Sequence, residues 1–403
     1  MRIAYVTIQF PVPSEAFAAV EMRALRRQGT DLRVLCYREA PPGAAAMLHD
    51  RGLADLPIEH GSTAATLRGL ILTALRPADT AFLLAAIFRH CRQRPKQLAK
   101  ALLLVPRSLT LLERIEQLRP DVVHLYWGHY PSLLGILVRH RLPGILVSQF
   151  LGAYDLEEAF PLSGVMAGRA DYLVTLSRAN VPAISALGAE PGAVRVSFHG
   201  VEIPCPLPAP EKTRGLMVVA ERLVPQKHTD DALRAFAKLH AGLPEARLVV
   251  CGGGPVLPRL QRLAAELQVE GAVRFAGHLP HSEVLDLLAR AEVALTMSRS
   301  ASERLPNVMK EAMLRRCLCL STRTAGIEEL IDDGVCGLIV DLGDSDAAAR
   351  RLAEVLRTPG AAAEFGRRAQ AKIAAEFDVD RLMAERLEQW AALQHARRPG
   401  AAA

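Results

Sequence analysis

The chain has 403 residues, of which 50% are hydrophobic, and its formal net charge at pH 7 is +6. This length and apolar content are enough for two ordinary domain cores. Aromatic residues make up only 5% of the chain and do not alternate with the basic ones, so we expect no nucleic-acid partner.

The cysteines and the apolar runs indicate the compartment. There is no Cys-x-x-Cys pair, and the cysteines lie mostly in apolar runs: Cys36, Cys91, Cys205, Cys251, Cys317, Cys319 and Cys336. This pattern is typical of buried free thiols in a reducing compartment. The start "MRIAYVTIQF" favours a strand over a signal peptide, and "GLILTAL" and "TAFLLAAIF" are each too short to span a bilayer. We expect a protein that is free in the cytoplasm or bound at the inner face of the plasma membrane.

The first half of the chain alternates strand-like runs with amphipathic helical segments. "MRIAYVTI" precedes a helix across "SEAFAAVEMRALRRQG", and strands follow at "TDLRVLCY", "PDVVHLYW", "GILVSQF", "DYLVTLS" and "AVRVSFHG". Such alternation predicts an α/β domain with a doubly wound parallel sheet over residues 1–203.

Residues 65–118 depart from this alternation. From Arg89 to Arg119, only two acids, Glu113 and Glu116, accompany eight basic residues: Arg89, Arg92, Arg94, Lys96, Lys100, Arg107, Arg114 and Arg119. Apolar clusters such as "ALLLVP" lie among them. A basic, leucine-rich helical segment either lies on an anionic membrane surface or forms an ordinary solvated helix face, and the sequence leaves both open.

A second domain follows a proline-rich stretch. "EIPCPLPAPEKT" predicts an interdomain linker at residues 204–212. The alternation then begins again, with strands predicted at "GLMVVAERL", "ARLVVCGGG", "AVRFAG", "VALTMS", "CLCLSTR" and "CGLIV". We predict a second Rossmann-like domain at residues 213–377, with ligands bound beyond the carboxyl ends of its strands.

Polar residues of the second half follow the ends of these strands. Arg222 and Lys227 lie in the loop after "GLMVV". A guanidinium and an ammonium at one edge suit a diphosphate, although two surface cations on a loop are the plain alternative. Gly253 lies in "CGGGP", which predicts either a phosphate cradle or a tight turn.

The stretch "SERLPNVMKEAML" places Glu303 before a predicted helix and Glu311 inside it. The helix is predicted to begin at Pro306, and the N–H groups of its first turn, including those of Asn307 and Val308, suit a phosphate. Glu311 would then accept ribose hydroxyls, and Glu303 the hydroxyls of whatever the phosphate carries, which describes a nucleotide sugar. From spacing alone, complementation of the helix dipole by two acids is the simpler explanation.

Five segments taken together resemble the retaining glycosyltransferase family 4 (group 1), which has the GT-B fold. They are "ERLVPQK", "VVCGGGP", "GHLPHSEV", "SERLPNVMKEAM" and "AGIEELIDDGVCGLIV", in the order and spacing of that family. The resemblance is strong over residues 213–345 and looser before them. It implies an α/β protein of two Rossmann-like domains that face each other across a cleft.

The resemblance also implies roles for single residues. Arg222 and Lys227 would hold the donor diphosphate, Glu311 the ribose, and Glu303 the donor sugar near its reacting face. His278 and Leu279 lie in the loop that would meet the nucleobase. The helix in residues 378–403 would return to the N-terminal domain, as in relatives.

The N-terminal domain resembles the acceptor domain of the same family, with departures. Its first loop, "FPVPSEAF", resembles a bacterial exopolysaccharide or colanic-acid-type subgroup, so Ser14 and Glu15 are candidates for donor or acceptor contacts. The loop "SQFLGAYD" lacks the histidine that many relatives carry. His124 and His129 are candidates on the acceptor side, although a structural role is commoner for a histidine at a strand end. Asp155 either orients an acceptor hydroxyl or caps the helix that follows.

We expect no metal and no cofactor. "DSD" at residues 344–346 and "DVD" at 378–380 mimic a cation-binding motif, but each directly precedes a helical pattern, so N-capping explains them better. The resemblance implies that cationic side chains and a helix terminus take the place of the metal.

The resulting hypothesis is a metal-independent, retaining glycosyltransferase. It would move a sugar from a UDP- or GDP-sugar to a glycan or lipid-linked acceptor, in bacterial surface polysaccharide biosynthesis. Attack on the same face through an oxocarbenium-like state is implied by the resemblance. Two alternatives stay open: a non-hydrolysing nucleotide-sugar epimerase, and a catalytically silent GT-B subunit.

Overall fold

The computed structural model describes residues 1–12, 15–300 and 303–397. The chain forms two compact units. Unit 1 is Met1–Gly200 together with the chain from Val379 onward, and unit 2 is Val201–Asp378. The proline-rich residues 204–212 belong to unit 2 and form neither helix nor strand.

Unit 1 is built on a parallel sheet in the order β3-β2-β1-β4-β5-β6-β7. Its strands are β1 (Arg2–Thr7), β2 (Asp31–Cys36), β3 (Ile58–Glu59), β4 (Val122–Tyr126), β5 (Leu146–Phe150), β6 (Tyr172–Thr175) and β7 (Val194–Val196). Tyr5 on β1 lies opposite Val34 on β2 and His124 on β4. The central strands are buried on both faces, which explains their nearly continuous apolar sequences.

The helices of unit 1 connect and cover these strands. They are α1 (Ala16–Arg27), α2 (Ala44–Asp50), α3 (Thr63–Leu75), α4 (Pro77–Cys91), α5 (Pro95–Leu103), α6 (Val105–Leu118), α7 (Pro131–Arg141), α8 (Ala153–Glu158), α9 (Pro161–Ala167) and α10 (Val181–Ala186). The basic segment, residues 65–118, forms α3 to α6. Pro77, Pro95 and Pro106 each lie in the first turn of a helix, where the missing N–H costs no hydrogen bond, so the segment divides there.

Unit 2 has a parallel sheet in the order β10-β9-β8-β11-β12-β13. Its strands are β8 (Thr213–Ala220), β9 (Arg247–Cys251), β10 (Val273–Gly277), β11 (Ala291–Thr296), β12 (Leu318–Thr322) and β13 (Leu338–Val340). Its helices are α11 (Thr229–Gly242), α12 (Leu257–Glu266), α13 (His281–Arg290), α14 (Asn307–Leu314), α15 (Ser345–Arg357) and α16 (Ala361–Glu376). This is the 3-2-1-4-5-6 strand order of a Rossmann fold, whose ligand crevice lies where the order reverses, between β8 and β11.

The last described helix, α17 (Val379–Arg397), belongs to unit 1. Met383 and Trp390 are fully buried in the core around β1, β2 and α1. The buried Arg386 donates to Glu21 on α1 at 3.1 Å. Helix α17 therefore packs as part of the core of unit 1.

Candidate functional site

The loops after β8 and β11 carry the polar residues at the point where the strand order of unit 2 reverses. Lys227 lies seven residues beyond the end of β8, and Glu303 follows β11 by a similar distance. Lys227 Nζ donates to a Glu303 carboxylate oxygen, and Ser298 Oγ lies 3.4 Å from the same oxygen. The structure thus joins two predicted site residues in one ion pair at the sheet edge.

Glu221 is a site residue that sequence reasoning missed. Its two carboxylate oxygens accept hydrogen bonds from Thr229 Oγ1 at 2.8 Å and Thr296 Oγ1 at 3.0 Å. Burial raises the pKa of the Glu221 carboxyl to about 7, although the charge of Lys227 and the two hydroxyl donors lower it. The negative charge of Glu303 also raises it. Lys227 therefore lies in the field of two carboxylates.

Arg222 and the glycine loop lie beside this cluster. Arg222 is exposed, and the backbone of its loop pairs with the glycine loop through Leu223 N–H to the Gly253 carbonyl, at 3.0 Å. A Cβ on Gly252 would come within 1.9 Å of the Glu221 carbonyl oxygen, and one on Gly254 within 2.2 Å of that of Leu223. Close backbone approach therefore explains those two glycines, whereas Gly253 is exposed and faces open space.

The helix after Glu303 begins one residue later than predicted. Pro306 is its N-cap and Asn307 its first residue. The Met309 N–H donates to the Pro306 carbonyl at 3.1 Å. The first helical turn, where N–H groups lack partners within the helix and can meet a ligand, therefore contains Asn307 and Val308. Both residues are partly buried.

Glu311 and the loop after β10 form the other part of the predicted donor site. A Glu311 carboxylate oxygen lies 2.9 Å from Nε2 of His281, the first residue of α13. The loop that precedes α13 contains His278, which is exposed, and Leu279, which is partly buried. Glu311 therefore lies near the loop that the family resemblance assigns to the nucleobase, and its imidazole partner was not predicted.

In unit 1, His129 and Asp155 form a pair at the carboxyl ends of β4 and β5. His129 Nδ1 lies 2.7 Å from a carboxylate oxygen of Asp155. The same carboxylate accepts the N–H groups of Gly128 at 2.7 Å and Gly152 at 2.9 Å. Asp155 is buried, and through Gly152 it also closes the first turn of α8. Both predicted roles, orientation and capping, are thus compatible with its contacts.

Glu15 lies against the same loop. The Trp127 indole N–H donates to Glu15 Oε1 at 2.9 Å, while Oε2 is buried and has no hydrogen-bond partner among the described residues. Burial raises the pKa of Glu15 to about 7, against the lowering effects of Trp127 and His129. Trp127 has φ of +81°, in the left-handed region that costs a non-glycine residue energy, and such strain is common at functional sites. Tyr154, half exposed, adds a second ring at the edge of Trp127.

A third feature of unit 1 is an open cavity of about 390 Å³ at the ends of β1 and β2. It is lined by Gln9, Tyr37, Arg38, Glu39, Gly61, Ser62 and Thr66. Ser62 is the N-cap of α3 and Thr66 lies in its first turn.

His124 does not belong to the acceptor side as predicted. It is fully buried, and Nδ1 lies 2.9 Å from Ser148 Oγ. Burial lowers its pKa well below the usual value, so it stays neutral in the core against Tyr5 and Trp390. A histidine on the central strand β4 points into the core, because both faces of the sheet are covered. Ser14 lies outside the described residues.

The acidic motifs form local contacts. Asp344 caps α15 by accepting the Ala347 N–H at 2.8 Å, as predicted. Asp380 binds Arg27 at 2.9 Å. All seven cysteines are free and all but Cys205 are buried. No group of three or more His, Cys, Asp or Glu side chains within the described ranges is arranged to hold a metal ion.

Part of the chain matches a known protein family. Residues 208–372 match the family model of the glycosyl transferases group 1. The chain carries a group 1 glycosyltransferase domain. The match covers most of unit 2, including the Lys227–Glu303 pair, Glu221 and Glu311. The predicted resemblance is therefore confirmed.

Relatives extend the likeness of this glycosyltransferase beyond the matched domain. WcaL of Salmonella typhimurium, named as a colanic acid biosynthesis glycosyltransferase, is 26% identical over 96% of this chain and 100% of its own. A GDP-mannose-dependent phosphatidylinositol monomannoside mannosyltransferase of Mycolicibacterium smegmatis is 34% identical over 38% of this chain and 41% of its own. These findings confirm a glycosyltransferase and give no support to the epimerase alternative.

The fold is confirmed by solved structures. Anabaena HepE, solved in complex with UDP, superposes with a TM-score of 0.74 at 16% identity, over 97% of this chain and 100% of HepE. Identity at this level supports the fold alone. The glycosyltransferase is a GT-B protein.

Proposed function

We propose that unit 2 of this glycosyltransferase binds a nucleoside diphosphate sugar and that unit 1 binds a glycan or lipid-linked acceptor, in the assembly of a bacterial surface polysaccharide. The observation that carries the donor assignment is the Lys227–Glu303 ion pair at the reversal point of the unit 2 sheet. A cation in that crevice is placed where Rossmann folds bind phosphates. The relative WcaL, named for colanic acid biosynthesis, supports the polysaccharide context.

The proposed chemistry stabilises a leaving diphosphate. Negative charge develops on that group as the bond between the anomeric carbon of the donor sugar and the diphosphate oxygen breaks, and a positioned cation near it lowers the barrier. Lys227 would supply the charge, Arg222 would add a guanidinium from the same loop, and the first-turn N–H groups of α14 would add hydrogen bonds. With these groups present the reaction needs no metal ion, and transfer would proceed with retention of anomeric configuration.

What two relatives bind or use supports a choice between two donor bases. Anabaena HepE is solved with UDP and with UDP-glucose, and the mycobacterial mannosyltransferase depends on GDP-mannose. We propose a UDP- or GDP-sugar as donor, with Glu311 on the ribose and the loop of His278 and Leu279 at the base. The free thiols favour a cytoplasmic location, where such donors are made.

On the acceptor side we propose the cluster of Glu15, Trp127, His129 and Tyr154. Carboxylate and imidazole groups bind sugar hydroxyls, and aromatic rings supply the apolar surface typical of small-molecule sites. The buried Oε2 of Glu15 has no hydrogen-bond partner within the described ranges, and an acceptor hydroxyl would satisfy it.

The test begins with binding. Thermal unfolding of the purified chain is measured with UDP, GDP, ADP and CMP, and with their common sugar conjugates. A ligand that binds the folded state raises the unfolding temperature by mass action. A shift with UDP or GDP that is lost in Lys227→Ala supports the donor site, and no shift with any nucleotide would favour the silent subunit instead.

The next measurements are the turnover of the donor and the stereochemistry of the product. Membrane lipid extracts serve as the acceptor source, with release of the nucleoside diphosphate as the readout and chelator as a control for metal. NMR of the product anomer then decides between retention and inversion. Donor consumption that requires the extract supports transfer, and an inverted product would overturn the retaining mechanism.

A further inference from the structure

Helices α3, α4 and α5 carry most of the large apolar side chains that the described part of the chain exposes. Ten such side chains are at least 40% exposed, and six lie on these three helices: Leu67, Leu70, Ile71, Leu75, Phe88 and Leu103. Single exposed apolar residues need no explanation, but a concentration on neighbouring helices marks an interaction surface.

Four of these side chains form one continuous face of α3. Leu67, Leu70, Ile71 and Leu75 are 58%, 55%, 53% and 67% exposed. Leu70, Ile71 and Leu75 follow Leu67 by three, four and eight residues, and this spacing places all four on one side of an α-helix. We call this set the α3 apolar face. Its extent is unusual for a helix that already has Gly69 and Leu72 buried on its other side.

The buried side of α3 is fixed against α6. A Cβ at Gly69 would lie 2.3 Å from the Pro106 carbonyl oxygen, so the two helices are in close backbone contact. Arg68 pairs with Glu113 at 2.7 Å, and Arg76 pairs with Glu116 at 2.6 Å. These pairs hold the side chains of Arg68 and of the C-cap residue Arg76 toward α6. The apolar face is therefore presented by a helix with a fixed orientation.

The charge of the same segment is strongly positive. Between the start of α3 and the end of α5 the only acid is Asp79, which is buried. The basic residues are Arg68, Arg76, Arg89, Arg92, Arg94, Lys96 and Lys100. Arg92, Lys96 and Lys100 are exposed. An apolar face on a segment of net positive charge is complementary to an anionic bilayer surface, which offers both acyl chains and phosphate headgroups.

We propose that the α3 apolar face docks on an anionic phospholipid bilayer, with α3 in the plane of the interface. Among the described residues no single helix is long and apolar enough to cross a membrane. The helices α3 and α4 pass that test only together, and they are bent by 100° at their junction. The contact differs from the one that the sequence predicted at Arg89–Arg119, because Arg107 and Arg114 of that segment bind Cys36 and Glu59 within unit 1.

This proposal stands apart from the donor assignment, so the two fail separately. It does have a bearing on the acceptor, since the first turn of α3 lines the cavity at the ends of β1 and β2. A lipid-linked glycan whose lipid lies in a bilayer under α3 would bring its sugars to that edge of the sheet.

The test is co-sedimentation with vesicles in low salt. The protein is mixed with vesicles of phosphatidylcholine alone, or with about one third phosphatidylglycerol. We expect binding to the anionic vesicles only, and a fall of about tenfold in partition for the double variant Leu70→Gln, Ile71→Gln, because apolar area drives interfacial insertion. The double variant Arg92→Gln, Lys96→Gln should bind the anionic vesicles less than the unchanged protein does. The difference should shrink as salt is added, because salt screens the charges.

The matched control is Val335→Gln, which alters an apolar residue of unit 2 that is 47% exposed. It should sediment like the unchanged protein. Equal binding by the Leu70, Ile71 variant overturns the role of the α3 apolar face, and equal binding to neutral vesicles overturns the anionic preference. Absence of lipid binding, together with a dimer mass that the same variant abolishes, would show that a second copy covers this face.

Discussion

Lys227 and Glu303, which are 76 positions apart in the chain, form an ion pair at the carboxyl edge of the unit 2 sheet. The carboxylate satisfies the ammonium group. A diphosphate that binds at Lys227 must compete with Glu303 for the same cation, and the displaced carboxylate is then free to accept hydroxyls of the donor sugar. In the proposed donor complex, the pair would therefore couple phosphate binding to the freeing of the Glu303 carboxylate for the donor sugar.

Replacement of Glu303 should separate binding from turnover. In Glu303→Gln, Lys227 keeps its charge and loses its competitor, so affinity for UDP or GDP should stay equal or rise by about threefold. Turnover should fall by about 10²-fold, because the sugar loses a charged partner in the transition state. Calorimetry and steady-state rates measure the two effects. Glu328→Gln, at an exposed acid of unit 2, is the control, and a variant that no longer binds the diphosphate would refute the competition.

Glu311 should act on the nucleoside and not on the phosphates. Glu311→Ala is expected to weaken nucleoside diphosphate binding by about tenfold, which is about 1.4 kcal/mol. Inorganic pyrophosphate, which lacks the ribose, should bind both proteins equally. The control Glu283→Ala removes an exposed acid from α13. An equal loss of pyrophosphate affinity would mean that Glu311 organises the phosphate site instead.

Donor binding should be accompanied by proton uptake at Glu221. Its pKa of about 7 leaves it mostly ionised at pH 7.5, and the negative charge of an arriving diphosphate raises that pKa further. A fraction of one proton is then bound with the ligand, and affinity falls as pH rises through 7. Calorimetry in two buffers of different ionisation enthalpy measures the uptake. It should be smaller in Glu221→Gln, and identical uptake in both proteins would exclude Glu221 as its source.

The ionisation of Glu15 should be visible as a change in the fluorescence of Trp127. The chain has two tryptophans, and Trp390 is fully buried, so a pH-dependent change in intrinsic fluorescence is expected from Trp127 with a midpoint near 7. Glu15→Gln should remove that transition. His129→Gln should move it to higher pH, because the charge of His129 lowers the pKa of Glu15. Glu157→Gln, on the exposed side of α8, should leave it unchanged. A midpoint near 7 that survives in Glu15→Gln would assign the transition to another group.

Gly69 should be required for the packing of α3. Alanine normally stabilises a helix relative to glycine, by about 1 kcal/mol. Here the added methyl group would meet the Pro106 carbonyl oxygen, so Gly69→Ala is expected to lower the free energy of unfolding by about 1–3 kcal/mol. Urea unfolding measures it. Gly144→Ala, at a position with open space around it, should have little effect.

Much of this architecture is predictable because its signals are local. The alternation of apolar strands and amphipathic helices reveals both parallel sheets, and polar residues after strand ends must meet at one edge of each sheet. Lys227 and Glu303 could be placed together on that basis. Their direct ion pair could not, since it depends on the exact course of two loops.

Other features depend on contacts between distant positions. Glu221 looks like any acid after a strand, and its partner Thr296 is 75 positions away. Glu15 and Trp127 are 112 positions apart. His124 was misassigned because a strand-end histidine looks the same whether it faces the core or the ligand. The packing around β4 decides that question, including the placement of α17, which brings Trp390 against His124.

The return of α17 also sets the order in which the two units can be completed on the ribosome. Unit 2 is an insertion within unit 1: the chain leaves unit 1 after Gly200 and re-enters it at Val379, and the two crossing segments are paired, with Val201 N–H donating to the Phe377 carbonyl at 2.8 Å. Unit 2 is continuous in sequence and has all its strands before α17 is made. Unit 1 lacks Met383, Arg386 and Trp390 until then, so Glu21 has no Arg386 to pair with and the core around β1 is open. The half that begins the chain is therefore the last to finish folding.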